Sequence, residues 1–379
     1  MIKKRTLISL TFCFLLLASN FSCIQKIQTF QMLQPYAVEK IVGQAKKDKP
    51  KNIIFMVGDG MSLATMYTAW TANRGHLNIE NCQYVGLAKT YSANRLLTDS
   101  AAAATAFATG HKTNNGSVGV DANGKPQTSI LELARQHGLS TGLLVTCNIL
   151  DATPAVFVAK ISGRYKWDEI ALQYVANEVD FVCGGGWKNF RKSKDGRDLT
   201  RELADKGYQL PRTVEELEKI NKGKVFALIA DDNLPRLKER GDALSRAAMK
   251  AIELLSKNDQ GFFLMIEGSM IDDGGHENKL DFVMDEVHDF DRTIGNVLKW
   301  AAQDGETLVI VTADHETGGW TLLGGDIVSG KVKGNFSTDG HSGVMVPVFS
   351  FGPQADIFTG IFENTDLFNK MLEAYGFIN

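Results

Sequence analysis

Acidic residues and histidines gather where short apolar runs end in this chain. Residues 52–57 run into Gly58-Asp59-Gly60. Residues 262–266 lead into Glu267, then Asp272 and His276, and residues 307–312 lead into Asp314-His315-Glu316. Carboxylates converging on one edge repel each other unless cations neutralise them, so a metal site is the economical explanation. Carboxylates with imidazoles and no thiolates suit Zn²⁺ in a catalytic site, and an all-oxygen corner suits Mg²⁺. Singly, each motif has a structural explanation: Gly-Asp-Gly is turn chemistry, and an Asp-His pair after a strand is commonly structural. The combination carries the weight.

A nucleophile candidate is Ser100, in Thr98-Asp99-Ser100-Ala101-Ala102-Ala103-Ala104-Thr105. The small residues let a helix pack closely here. Ser100 falls in its first turn, where free amides and the helix dipole favour an anion. Thr98, Asp99 and Ser100 are also N-cap residue types, so a purely capping role is the alternative. The chain has no Gly-x-Ser-x-Gly elbow, His-Glu-x-x-His helix or Walker loop.

The elements that must position these residues alternate in type. Apolar runs at 52–57, 141–146, 179–183, 224–230, 262–266, 307–312 and 346–351 read as strands. Helical patterns occupy 100–109, 129–137 (closed by Gly138), 243–257 and 281–303 (ending before Gly305). The alternation predicts an α/β fold, with a central, mostly parallel β-sheet flanked by helices on both faces. In such a sheet ligands bind beyond the carboxyl ends of the strands, where the acids and histidines stand. Residues 187–222 are charged and read as a surface excursion within the one domain.

The chain has 379 residues, 44% of them hydrophobic, enough for a sizeable core. A net charge of −3 offers no basic excess for nucleic acid and no acidic tail. Lys3, Lys4 and Arg5 followed by the apolar run 7–18 read as an export signal over residues 1–22, too short to span a membrane comfortably. The expected location is the periplasm or the cell surface. Cys23 stands where a bacterial lipoprotein carries its lipidated cysteine, and simple cleavage is the alternative. Residues 23–50 read as a tether with a short helix over 36–45, and 51–379 as the catalytic domain. Cys82, Cys147 and Cys183 form no CxxC pair and read as free thiols.

These residues resemble the signatures of the alkaline phosphatase family. The matching segments are Val57-Gly58-Asp59-Gly60-Met61, Thr98-Asp99-Ser100-Ala101-Ala102 with Thr109-Gly110, and Thr312-Ala313-Asp314-His315. Asp151-Ala152-Thr153-Pro154 with Arg164, Glu267-Gly268 with Asp272 and His276, and Asp339-Gly340-His341-Ser342 before a final strand complete the set. The six elements stand in family order from about Lys51 to Gly352. The resemblance implies a phosphate monoester hydrolase of broad specificity, forming a phosphoserine on Ser100. Asp272, His276 and His341 would hold one zinc. Asp59, Asp314 and His315 would hold a second, with Ser100 as its reacting ligand. Asp59, Thr153 and Glu267 would hold a magnesium, with Asp151 behind it through water on the substrate side. Arg164 would grip two phosphate oxygens through its planar fork. His76, His111, His137 and His288 would be bystanders.

Two departures stand out. Asp273 follows Asp272 where several family members have a basic or aromatic residue, so phosphate binding is expected to be weaker. The chain is also short for the family and lacks much of its inserted crown region, which puts the family's homodimer contacts in question. Three other functions fit the sequence less well. A sulfatase needs a Cys/Ser-x-Pro-x-Arg setting that Ser100-Ala101-Ala102 lacks, and a phosphodiesterase would usually lack the Arg164 pattern. A non-catalytic surface lipoprotein binding metal or phosphate would be expected to have lost Ser100 or a ligand.

Overall fold

The computed structural model describes residues 26–43 and 45–377. The expected export signal and Cys23 lie outside the described residues. In chain order the strands are β1 (Gln28–Gln31), β2 (Asn52–Gly58), β3 (Tyr84–Lys89), β4 (Ser140–Asn148), β5 (Phe181–Gly185), β6 (Val225–Leu228), β7 (Phe262–Gly268), β8 (Thr307–Thr312), β9 (Glu316–Thr317), β10 (Thr321–Asp326), β11 (Lys331–Asn335), β12 (His341–Ser342), β13 (Val346–Phe351) and β14 (Gly360–Glu363).

Nine of these form the central sheet, in the order β14-β3-β13-β8-β2-β7-β4-β5-β6. Only β13 runs against its neighbours; every other pairing in the sheet is parallel. β2, β7 and β8 are buried along their whole length. A strand buried on both faces needs an unbroken apolar run, which is why the runs were legible in the sequence. The covering helices fall into two mutually packed groups. Leu63–Ala72, Ala243–Leu255 and Leu280–Asp304 form one group, and Ser100–Thr109, Ile130–Gln136, Ala152–Ala155 and Asp366–Tyr375 the other. The 25-residue helix Leu280–Asp304 buries Val283, Val287, Ile294, Leu298 and Ala301 at helical spacing and ends at Gly305, whose left-handed backbone stops it.

Register sets the site. Val57 of β2 pairs with Glu267 of β7 and with Thr312 of β8, and Val145 of β4 also pairs with Glu267. The carboxyl ends of four adjacent strands are therefore level, and the residues following them share one edge.

The structure alters several expectations. No helix forms among the described residues of 36–45. The backbone there takes no regular structure, and side chains take its hydrogen bonds: Tyr36 N–H donates to Asn73 Oδ1 (2.9 Å) and Ile41 N–H to Asn81 Oδ1 (2.7 Å). Over its described residues the expected tether is laid against the body, with β1 paired to β11 in a small sheet, β1-β11-β10. β3 and β14 add to the expected strands; neither shows a buried apolar run, because one exposes Tyr84 and Val85 and the other is a four-residue edge strand. The strand after His341, β13, is consequently not the last. The 187–222 stretch carries three short helices, Trp187–Arg191, Leu199–Asp205 and Val214–Glu218, which bury Phe190, Leu203 and Leu217. Cys82, Cys147 and Cys183 are free thiols. Among the described residues no helix is long and apolar enough to cross a membrane.

Candidate active site

Ser100 is the first residue of the helix Ser100–Thr109, and Asp99 is its N-cap, accepting from Ala102 N–H at 2.9 Å. The cap and the candidate nucleophile are thus different residues. All ten residues of this helix are buried, which its run of alanines permits. Ser100 itself is 4% exposed, and its Oγ lies 3.3 Å from His315 Nε2.

The three predicted histidine ligands turn the same nitrogen inward. His276 Nδ1 donates to Asp339 O (2.6 Å) and His341 Nδ1 to Thr98 O (2.7 Å). His315 Nδ1 lies 3.2 Å from the hydroxyl of Thr317, which itself donates to Asp272. Fixing Nδ1 as the donor leaves Nε2 with a lone pair for a metal. Each Nε2 faces carboxylates: His276 lies 3.3 Å from Asp272 Oδ2, and His341 lies 3.7 Å from Asp272 Oδ1. His315 lies 3.0 Å from Asp314 Oδ2 and 3.6 Å from Asp59 Oδ1. Ligating atoms of Asp272, His276 and His341 fall within 4.8 Å of one another, and so do those of Asp59, Asp272 and His315. Asp272 therefore stands between the two groups.

Charge explains why these residues fit cations. Asp59 Oδ1, Asp314 Oδ2 and Thr153 Oγ1 are buried without a hydrogen bond, an arrangement that is costly unless something else satisfies them. Burial, then the nearby Asp314, Asp272 and Glu267, pushes the Asp59 carboxyl well above the usual range. Burial, then Asp314 and Asp151, does the same to Glu267. The His276 hydrogen bond to Asp272 raises its imidazole to about 9. For Asp272, burial opposes ionisation but the hydrogen bond from His276 and the neighbouring histidines prevail, holding it below the usual range. Two carboxyls, Asp59 and Glu267, and the His276 imidazole pulled toward their protonated forms mark a pocket short of positive charge, which divalent ions would supply.

Arg164 completes the cleft. One Nη lies 3.3 Å from Asp99 Oδ2 and the other 3.6 Å from Asp151 Oδ1. These two carboxylates hold the fork, while Asp99 Oδ2 is anchored by Gly116 N–H at 2.8 Å. Arg164, Asp151, Ser100, Thr153, Glu267 and Asp272 line one small cleft of about 190 Å³. All eleven predicted site residues, His276 and His341 included, are thus gathered at one sheet edge. Asp273 lines the same cleft, and burial, then Asp272 and Asp151, raises its carboxyl to about 6.

Sequence reasoning missed Asp99 and Thr317 as orienting groups, since neither stands out except by contact. Glu316, grouped with Asp314 and His315 at the strand end, turns away from them. It accepts from Gly319 and Trp320 N–H (both 3.1 Å) and from the Ser342 hydroxyl, tying β9 to β12 and so placing His341. His288 is a buried packing residue, its Nε2 donating to Ala69 O at 3.0 Å.

Comparison with known proteins points to one family. The alkaline phosphatase family model matches residues 50–335. Alkaline phosphatase 4 of Bacillus subtilis is 39% identical over 297 residues, which are 73% of this chain and 64% of that protein. The alkaline phosphatase of Escherichia coli is 30% identical over 409 residues, 87% of each chain. Among solved structures, alkaline phosphatase from the Antarctic bacterium TAB5 superposes with a TM-score of 0.84 at 38% identity, covering 87% of this chain and 100% of that one. A variant of that enzyme with Mg bound in its M3 site superposes with a TM-score of 0.82.

Proposed function

The chain belongs to the alkaline phosphatase family and is a phosphoric monoester hydrolase, and we propose that it works through a phosphoserine on Ser100 in a site built for two zinc ions and one magnesium. The observation that carries this reading is Ser100 Oγ in a helix first turn, 3.3 Å from the His315 Nε2 that also faces Asp59 and Asp314. Asp272, His276 and His341 would hold one zinc; Asp59, Asp314 and His315 the other; Asp59, Thr153 and Glu267 the magnesium. When bound, the metals supply Lewis acidity for the entering and leaving oxygens and neutralise the buried carboxylates.

The chain's own residues do the rest. Ser100 Oγ attacks phosphorus and the ester oxygen departs as the alcohol, leaving phosphoserine. Water then attacks that phosphorus, releasing inorganic phosphate and restoring the hydroxyl. The helix amides around Ser100 face the incoming anion. Arg164, already aimed by Asp99 and Asp151, holds equatorial oxygens with its planar fork. Because the grip is on the phosphoryl group alone, small phosphate monoesters in general are the substrates. Export through residues 1–22 would place the enzyme outside the cytoplasm.

The test is hydrolysis of p-nitrophenyl phosphate at alkaline pH by residues 24–379 supplied with zinc and magnesium. Turnover should collapse in Ser100→Ala and in chelator, and acid quench of the parent should trap one phosphoryl group per chain. Turnover of a diester or sulfate ester in place of the monoester would overturn the proposal.

A further inference from the structure

The loop after His276 carries Asn278, which lines no part of the cleft around Ser100. Asn278 has a left-handed backbone, φ 49°, rare for a residue with a side chain. Such strain persists where the surroundings over-determine it. Its N–H donates to Gly275 O at 2.9 Å. Two carbonyls facing its side chain fix the orientation of its amide: with the nitrogen toward them it donates to Gly275 O at 3.0 Å and to Thr338 O at 2.8 Å. Gly275 precedes His276, and Thr338 precedes Asp339, whose carbonyl accepts from His276 Nδ1 at 2.6 Å. One amide thus joins the helix Met270–His276 to the turn that leads into His341.

Asn278 is itself held from the other end of the chain. Gln28 Nε2 donates to Asn278 O at 2.6 Å, and Gln28 Oε1 accepts from Leu280 N–H at 2.9 Å. Gln28 sits in β1, opposite Gly334 of β11. Its amide clamps both sides of the loop between the two helices.

Resting on the assignment of Asp272, His276 and His341 to one zinc, we propose that Asn278 is the positioning residue of this histidine pair and that Gln28 of β1 locks it in place. The N-terminal strand is then part of the metal site. Groups that orient ligands typically change metal affinity about 10- to 100-fold when removed. A merely structural role predicts something else: lost stability, from an uncapped Leu280 amide, with zinc held as before.

The experiment uses the zinc-loaded full chain and follows zinc release to a chromophoric chelator. The variants are Gln28→Ala and Asn278→Gly, the glycine keeping the left-handed backbone while deleting the amide. Each should release one zinc equivalent about 10-fold faster than the parent or more, with the second equivalent unchanged. Gln31→Ala removes the bond to Ser329 O (2.9 Å) at the other end of β1 and should release zinc like the parent. Parental release from both variants, or equal acceleration of both equivalents, would overturn the proposal. Should Asn278→Gly fail to fold, Gln28→Ala alone decides it. His276→Ala separates the two layers of argument: if it binds as much zinc as the parent, the ligand assignment itself is wrong.

Discussion

Asp273 and Gly60 show how single residues tune this site. Asp273 faces the cleft beside Asp151, adding negative charge where a phosphate dianion must enter. Asp273→Lys exchanges repulsion for attraction, so the inhibition constant of inorganic phosphate should fall about 10-fold, on the order of 1–2 kcal/mol for a charge reversal near a partly solvated site. No tightening would remove Asp273 from the phosphate's surroundings. Gly60 has φ 75°, and a β-carbon there would stand 2.9 Å from both Asp272 Cα and Thr317 Oγ1. Left-handed strain alone costs about 1–2 kcal/mol in a residue with a side chain. Gly60→Ala should lower stability by at least that much in urea titration. It should also weaken zinc binding, because the displaced groups are Asp272 and the hydroxyl that holds it.

The long helix Leu280–Asp304 carries a pH liability of its own. His288 is buried between that helix and the Leu63–Ala72 helix, near the rings of Phe30 and Tyr36. Burial lowers its imidazole to about 4 from the ordinary 6.5. The folded protein therefore keeps His288 neutral while the unfolded chain protonates it, and stability falls as pH drops from about 6.5 to 4. The full loss is roughly 3 kcal/mol for one such group. His288→Gln cannot titrate. Urea unfolding at pH 7 and pH 4.5 should show the parent losing about 2 kcal/mol more than the variant over that interval. Equal losses would mean that His288 is solvated. The segment after β1 meets the same helix: the Tyr36 hydroxyl donates to Asp291 Oδ2 at 2.7 Å, and Asp291 also accepts from Asn78 and Ile79 N–H.

At the scale of the molecule, the sheet edge concentrates Asp59, Glu267, Asp272 and Asp314 within a largely dehydrated pocket. The fold carries this repulsion unless cations offset it. Chelator treatment should therefore lower the urea midpoint of unfolding. Added zinc should restore it in a concentration-dependent way, by about 2.7 kcal/mol per site at a hundredfold excess over Kd. A midpoint indifferent to chelator would mean that metals contribute nothing to holding the edge together.

The sequence by itself determined the class of fold, where along the chain the buried strands lie and the chemistry of their ends. Strands such as β2 and β7 are covered on both faces, so their apolar runs are continuous, and the polar residues that follow them stand out. The acids and histidines that follow β2, β7 and β8 were legible for the same reason and Ser100 from its alanine-rich helix, whereas Asp151, Thr153, Arg164 and His341 stood out only through the resemblance to a known family. Only the tertiary structure decided how they meet. It placed Asp272 between two ligand groups, separated the capping role of Asp99 from Ser100, and turned Glu316 from the site into a brace for His341. It also brought β1 against the loop after His276, across some 250 residues of chain. Contacts of that kind leave no periodicity in a sequence, because they depend on where distant backbones cross and not on which face of a single element is apolar.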